Sequence, residues 1–357
     1  MRCDRVRYYG FRNIADAEIE FDSGTNILYG DNAEGKTNAL EGIYMMAQGR
    51  SFRPAHENDM IRFGSEAAAI RLTYTAAGRK NELEMKLYRG GKRICKKNGV
   101  PLSRLSELMG SFRAVIFCPE HLSLVKEGPA QRRNFLNMAI SQLDPEYLSA
   151  LQRYGRILEQ RNALLKKYAF DQKSGEETLT LWTEKLAAEG AVISSRRASY
   201  VQKLNEEAAA VFSSMTEGRE VPRYVYKEER SAEEYMAAFE RVRDRELKTA
   251  STLIGPHRDD ISILLNDREA RLYASQGQQR SLALAMKLAE GGISREVTGE
   301  YPVFLLDDIM SELDAGRRLY IEKGLAGRQV ILTSCRHDGP ADRIFAVRQG
   351  TYERMVF

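Results

Sequence analysis

Apolar positions along this chain keep one period in its first third and another after it. In the first third they alternate. Residues 3–30 carry three such runs, and the second, 15–21, alternates cleanly, as a half-buried strand does. Runs at 69–74 and 82–88 alternate too, and in the latter Leu83, Met85 and Leu87 face one way and the charges the other. Gly90-Gly91 and Asn98-Gly99 supply hairpin turns, so a β-meander is expected here. Residues 113–117, Arg113 followed by four apolar residues, read as a buried strand ending in Cys118-Pro119-Glu120.

Beyond that point the period becomes about 3.6. Tyr147, Leu151, Tyr154, Leu158, Arg161, Leu165 and Tyr168 are spaced alternately four and three apart, a heptad stripe with one polar break. A polar turn at 171–177 leads to a second stripe of Trp182, Leu186, Ile193, Tyr200, Leu204 and Val211. Two such helices joined by a short turn predict an antiparallel pair, a stubby coiled-coil arm. The heptad spacing favours packing for these aromatics over a stacking platform for bases. Pro222 and the strand-like 224–226 close the arm, and 261–265 reads as a strand. Between them, Gly255-Pro256-His257-Arg258-Asp259-Asp260 is dense in polar residues. No physical role follows for it from sequence, beyond a loop where the arm rejoins the first domain.

The chemistry sits where these elements join. Asn26-Ile27-Leu28-Tyr29 reads as a strand, and Leu40, Ile43, Tyr44 and Ala47 as one face of a helix. Between them stands Gly30-Asp31-Asn32-Ala33-Glu34-Gly35-Lys36-Thr37, the pattern G-x-x-x-x-G-K-[ST] in the context it needs. Gly30 and Gly35 let the backbone curl so that its N–H groups face phosphate oxygens, and the helix N-terminus adds to that field. Lys36 can reach the β- and γ-phosphates, and the Thr37 hydroxyl can ligate Mg²⁺. Near the other end, Pro302-Val303-Phe304-Leu305-Leu306-Asp307-Asp308 is an apolar run ending in two carboxylates, a Walker B pattern followed by Ser311-Glu312-Leu313-Asp314. One carboxylate there suits Mg²⁺, and a second can orient or deprotonate an attacking water. Upstream, Ser275-Gln276-Gly277-Gln278-Gln279-Arg280 opens a helix with Leu282, Ala285, Met286 and Ala289 on one face. It reads either as another anion site or as an ordinary cap. Arg12, in the turn Tyr9-Gly10-Phe11-Arg12-Asn13, has two open readings, a nucleotide contact or a plain turn residue.

Composition narrows the class. The chain has 357 residues, 29% of them charged, enough for two domains or one large core with an insertion. No apolar run approaches the roughly 20 residues of a membrane span, and the N-terminal residues have no apolar signal core. Cys3, Cys95, Cys118 and Cys335 are scattered without a CxxC pair, so reduced thiols and a cytoplasmic location are expected. The four histidines form no ligand-spaced cluster. Net charge is +4, but residues 79–104 hold nine Lys/Arg against two Asp/Glu, a local +7 that leaves −3 for the rest. Such a stretch points to a polyanion partner, with a solvated sheet face as the other reading.

Taken together, the motifs resemble the ATP-binding-cassette (ABC) ATPases and, within them, the structural-maintenance-of-chromosomes (SMC) class. The phrases GDNAEGKTN, GRSFRP, GPHRDD, YASQGQQRSLALAMKLAE and LLDDIMSELD are similar to those of the bacterial RecF family over the whole chain. The resemblance implies an α/β ABC-type head with a mixed sheet, residues 1–118 and 255–357, and an inserted, mainly helical lobe with a short antiparallel coiled-coil arm, residues 119–254. It implies a weak, DNA-dependent ATPase of recombinational repair and replication-gap processing, with ATP and Mg²⁺ as cofactors. It also implies a homodimer that sandwiches ATP, binds DNA at gaps or single-strand/double-strand junctions, and works with RecO and RecR to load RecA. Carried over by position, Gly30 through Thr37 bind phosphate, with Thr37 and Asp307 at the metal. Lys36 and Asp308 take the catalytic positions, and Ser275, Gly277 and Gln278 form the signature that meets the partner copy's nucleotide. DNA contacts are expected from Lys92, Arg93, Lys96 and Lys97, with the arm and residues 49–53 as alternatives.

Three departures from the wider cassette pattern imply slow turnover. Asp308 replaces the usual Glu. No Gln follows the 113–117 strand, where Glu120 is the nearest polar residue. Thr333-Ser334-Cys335 stands where a switch His is usual, with His337 close by. A transporter ATPase subunit fits the heptad arm and basic meander less well, and this chain has no Asn-Lys-x-Asp base-reading motif, which argues against a GTPase or small-molecule kinase.

Overall fold

The computed structural model describes residues 1–53, 56–168, 176–335 and 341–355. Pro54, residues 171–175 of the expected turn, and His337 lie outside the described residues. From the amino end, β1 (Arg2–Phe11), β2 (Ile14–Glu20) and β3 (Thr25–Tyr29) lead into α1 (Lys36–Gln48). The meander follows as β4 (Ala67–Ala76), β5 (Arg79–Tyr88), β6 (Ile94–Lys97) and β7 (Val100–Pro101), then β8 (Ala114–Phe117). The middle of the chain is α2 (Pro129–Ser141), α3 (Pro145–Tyr168), α4 (Glu176–Thr216), β9 (Pro222–Tyr226), α5 (Ala232–Thr249), β10 (Ile261–Leu265), β11 (Arg268–Glu269) and α6 (Ala270–Tyr273). After α7 (Gln276–Thr298) come β12 (Val303–Leu306), α8 (Ala315–Gly324), β13 (Val330–Ser334), β14 (Arg343–Arg348) and β15 (Thr351–Arg354).

Two compact units result, Met1–Ser123 with Arg280–Phe357, and Leu124–Gln279. The expected boundary at 254/255 therefore moves to 279/280. The reason is a sheet: β10 pairs antiparallel with β9, from Ile261 opposite Tyr226 to Leu265 opposite Pro222. That pairing carries residues 255–279 into the helical unit.

The first unit holds two six-stranded sheets. One is the antiparallel meander, ordered β2-β1-β4-β5-β6-β7; the other, β15-β14-β3-β13-β12-β8, is parallel except for its β15 edge. Helix α1 contacts strands of both sheets. It is buried almost all round, as a helix enclosed on every side must be. Its fit is close, since a Cβ at Gly42 would stand 2.4 Å from the ring of Tyr8. The Tyr8 hydroxyl in turn donates to the Ala39 carbonyl at 2.6 Å. In the parallel sheet β13 lies between β3 and β12, so the glycine loop and the paired aspartates emerge at the same, carboxyl ends of the strands, where open α/β sheets place ligands.

In the second unit α3 and α4 run antiparallel, because Glu146 meets Arg196, Arg153 meets Glu189 and Arg161 meets Thr183. The stripe residues Tyr147, Tyr154, Leu165, Leu186, Ile193, Tyr200 and Leu204 are buried. The polar break is explained by α5, which the sequence pattern did not reveal. Buried Arg161 donates to Glu246 of α5 at 2.6 Å and lies 4.8 Å from the ring centre of Phe239.

Candidate functional site

The loop between β3 and α1 has the geometry its glycines require. Gly35 sits at φ 115°, which a side chain would strain, and a Cβ at Gly30 would lie 2.4 Å from the Val347 carbonyl. The first intrahelical bond is Ala39 N–H to Gly35 O at 3.1 Å, and no side chain caps the helix, so the amides ahead of it point out of its end. Several loop carbonyls are fastened from outside. Asn13 donates to Glu34 O at 3.1 Å, Gly350 N–H to the same oxygen at 2.8 Å, and the Tyr352 hydroxyl to Gly35 O at 2.8 Å. Asn38 locks Asn13 in turn at 2.8 Å. With these carbonyls drawn outward, the loop turns N–H groups inward, the arrangement of an anion nest.

Buried Lys36 bridges the loop, donating to Gly30 O and Asp31 O, each at 2.8 Å, with Cys335 Sγ at 3.5 Å. Cys335 itself is exposed and lies 3.0 Å from Asn32 Oδ1. The Thr37 hydroxyl donates to Asp307 Oδ1 at 2.7 Å. Thr333, from the intervening strand β13, lies 3.0 Å from the same oxygen and 3.3 Å from Asp308 Oδ1, and accepts the Asp308 N–H at 2.8 Å. Burial pushes the Asp307 carboxyl above its usual range; the bonds from Thr37 and Thr333 pull the other way, and the Asp308 charge adds to the rise. Asp308 adopts a left-handed backbone at φ 48°, uncommon outside glycine and a form of strain found at functional sites.

Arg12 has each of its three side-chain nitrogens donating to protein, two to the carboxylate of Glu41 at 2.9 and 2.6 Å and one to Asp59 O at 2.9 Å. Its backbone is left-handed, at φ 54°. Glu41 is fully buried and also bonded by Arg53 and by Ser51. Burial alone would raise its carboxyl, but those three partners outweigh it and hold the group below the usual range. At the position after β8, the expected Gln is replaced by a local cluster: Cys118 Sγ lies 3.4 Å from His121 Nδ1, and burial, with the Lys287 charge, pushes that imidazole down to about 3.

The signature belongs to the second unit. Ser275 and Gln278 exchange bonds, Ser275 N–H to Gln278 Oε1 at 2.6 Å and Gln278 N–H to Ser275 Oγ at 3.3 Å, a reciprocal cap at the start of α7. Ser275 is exposed, beside exposed Leu272 and Tyr273. The polar segment after residue 254 also lies here and forms a lock. Asp259 bonds Arg197 and Tyr226, Asp260 takes a bidentate pair from Arg132 at 2.7 and 2.8 Å, and His257 Nδ1 meets the Tyr154 hydroxyl at 2.7 Å.

The four basic residues expected at DNA do not act alike. Arg93 is turned inward onto Gly49 O and Glu57, and Lys97 donates to Ser111 at 3.0 Å. Lys92 is exposed, and Lys96 lies on the outward face of β6 opposite Glu84.

The family described as RecF/RecN/SMC N terminal domain matches residues 3–350. The DNA replication and repair protein RecF of Lachnoclostridium phytofermentans is 37% identical over 350 residues, spanning 96% of this chain and 97% of that one. This chain belongs to the RecF family. A further RecF, from Clostridium acetobutylicum, is 39% identical over 328 residues, 90% of each chain. The structure of the recombination mediator protein RecF with ATP, in the RecFOR pathway, matches with a TM-score of 0.93 at 35% identity, over 99% of this chain and 98% of that one. The Smc head domain of Pyrococcus furiosus, over 99% of this chain and 96% of that one, matches at 17% identity with a TM-score of 0.58, a likeness of fold alone. The RecF fold is thus an α/β ABC-type ATPase head carrying an inserted helical lobe. Among the described residues no helix is long and apolar enough to cross a membrane.

Proposed function

We propose that this chain is an ATP-dependent DNA clamp of replication-gap repair. The observation that carries the reading is the 2.7 Å bond from Thr37 to Asp307, which joins the glycine loop to the paired aspartates after β12. A hydroxyl and a buried carboxylate side by side are hard oxygen donors of the kind Mg²⁺ takes. Thr37 and Asp307 would hold that ion, which would supply positive charge against the phosphates of ATP.

The chain's own groups do the rest. The amides at the α1 N-terminus receive the phosphates. Lys36 exchanges two carbonyl partners for phosphate oxygens, a stronger charge-assisted contact. Asp308 orients the attacking water, and the shorter side chain makes hydrolysis slow, a timer rather than a motor. Unit one acts as the head, and unit two presents Ser275, Gly277 and Gln278 to the nucleotide of a second copy, so ATP closes a dimer. A relative described as the recombination mediator protein RecF in the RecFOR pathway supports RecO and RecR as partners, and RecA loading at gapped duplex is the outcome this reading expects.

The test is binding of a labelled gapped duplex with and without Mg²⁺ and ATP. Tight binding only with both is expected, together with slower release from DNA by Asp308→Asn. Equal DNA binding in the absence of nucleotide would overturn the reading.

A further inference from the structure

The outward face of the antiparallel sheet carries an unusual pair of residues. Alternate positions of β1, β4 and β5 point away from the core, and most are charged or small. Two are tyrosines left in solvent, Tyr9 at 62% and Tyr88 at 42% exposure. Each stands opposite an alanine of the strand between them, Tyr9 opposite Ala69 and Tyr88 opposite Ala67. The small residues make a floor and the rings make walls, two strand spacings across and two residues out of register, roughly 12 Å apart. The resulting groove has a volume of about 400 Å³.

Its rim is cationic. Arg7 and Arg71 face each other across β1 and β4, and Lys86 stands opposite Ala69. One carboxylate of the lining, Glu84, is shared between Arg71 at 3.3 Å and Lys86 at 3.2 Å. Arg7 pairs with Asp16 at 3.3 Å, both more than half exposed. Exposed pairs of this kind are worth little, so a phosphate can displace the carboxylate.

We propose that this groove seats a single-stranded nucleic acid segment, its bases stacked on Tyr9 and Tyr88 and its phosphates on Arg7, Arg71 and Lys86. The inference rests on the DNA-binding reading above and names which part of a gapped substrate this face takes. Stacking on aromatic rings is sequence-tolerant, because every base has a π-face, and a paired duplex keeps those faces hidden. A duplex can meet the cations of this face but not its rings. The groove lies on β1, β4 and β5, and Lys96 of the neighbouring strand β6 borders it, opposite Glu84.

The experiment measures anisotropy of a labelled oligo-dT and of a blunt duplex, using the full chain with saturating Mg²⁺ and ATP. Tyr9→Ala and Tyr88→Ala should each weaken oligo-dT binding roughly five- to a hundredfold and leave duplex binding unchanged. Tyr9→Phe and Tyr88→Phe, which keep the ring, should bind oligo-dT like the parent. Neutralising Arg7 and Arg71 together should reduce the oligo-dT salt slope by roughly 0.7 per lost contact. Alanine variants that bind oligo-dT like the parent, or that lose duplex binding equally, overturn the proposal. So does a face whose alanine variants lose only a protein partner. A parent protein that binds duplex but no oligo-dT overturns this inference alone, and one that binds neither overturns the clamp reading with it.

Discussion

The molecule contains two buried polar networks of similar make-up and opposite character. One joins Lys36, Thr37, Asp307 and Thr333 at the carboxyl ends of the parallel strands. The other joins Arg197, Asp259, Tyr226 and Tyr147 in the helical unit. In the second, every partner is specific: Arg197 reaches Asp259, Tyr147, Asn137 and the Pro256 carbonyl from a buried position. In the first, Lys36 rests on backbone carbonyls that any phosphate oxygen can replace. Both aspartates are pushed up by burial, but Asp259 has the Arg197 guanidinium bonded to it, while at Asp307 the like charge of Asp308 adds to the rise and the Arg53 charge opposes it. A site that works keeps its partners exchangeable; a site that only holds the fold does not.

The largest effect should come from breaking the fixed network. Asp259→Ala strands the buried Arg197 guanidinium and should cost about 3–5 kcal/mol in denaturant unfolding. Replacing Asp259 and Arg197 together by apolar residues should recover most of that loss. If the single variant unfolds like the parent, the network is not the lock described. The exchangeable network should behave the other way. Lys36→Ala should leave unfolding nearly unchanged but weaken ATP binding roughly ten- to a hundredfold by calorimetry, since it removes a charge-assisted contact. A large loss of stability without a loss of affinity would erase the distinction.

Asp307 sharpens the comparison through pH. A carboxyl whose folded pKa is raised contributes stability that is complete below its unfolded value, about 3.9, and lost as pH rises through the folded value. The nucleotide-free protein is therefore penalised at neutral pH by an ionised Asp307. Asp307→Asn should melt above the parent at pH 7, with the gap closing as the pH falls toward 4. Added Mg²⁺ and ATP should reverse the order. A variant that melts lower at every pH would show that Asp307 is structural.

The same contrast divides the basic segment. Lys92 and Lys96 point outward, while Arg93 and Lys97 hold neighbouring backbone and side chains. Neutralising Lys92 and Lys96 should flatten the salt dependence of duplex binding by roughly 0.9 per contact with little change in melting. An unaltered slope would place the duplex elsewhere.

What the sequence revealed follows the range of each interaction. The glycine loop was legible because strand, loop and helix are contiguous, and the paired aspartates because a short apolar run ends on them. The braces were not legible: Tyr352 lies 317 positions from Gly35, and Thr333 reaches the aspartates only because β13 falls between β3 and β12. The bonds that hold Arg12 were not legible, because Glu41 lies 29 positions away. Helix α5 was missed although Tyr235, Ala238, Phe239 and Val242 keep helical spacing, because charged residues crowd between and beyond them. The Gly255–Asp260 run looked like a joining loop, since its partners Arg132, Arg197 and Tyr226 are scattered through the helical unit.

If ATP is held between two copies, the signature of one completes the loop of the other, and losing the signature should cost the dimer but not the nucleotide. Sedimentation of the parent and of Ser275→Arg, each with saturating Mg²⁺ and ATP, separates the two. A dimer is expected for the parent and a monomer that still binds ATP for the variant. A parent that stays monomeric with ATP bound, or a variant that dimerises as the parent does, would contradict that arrangement.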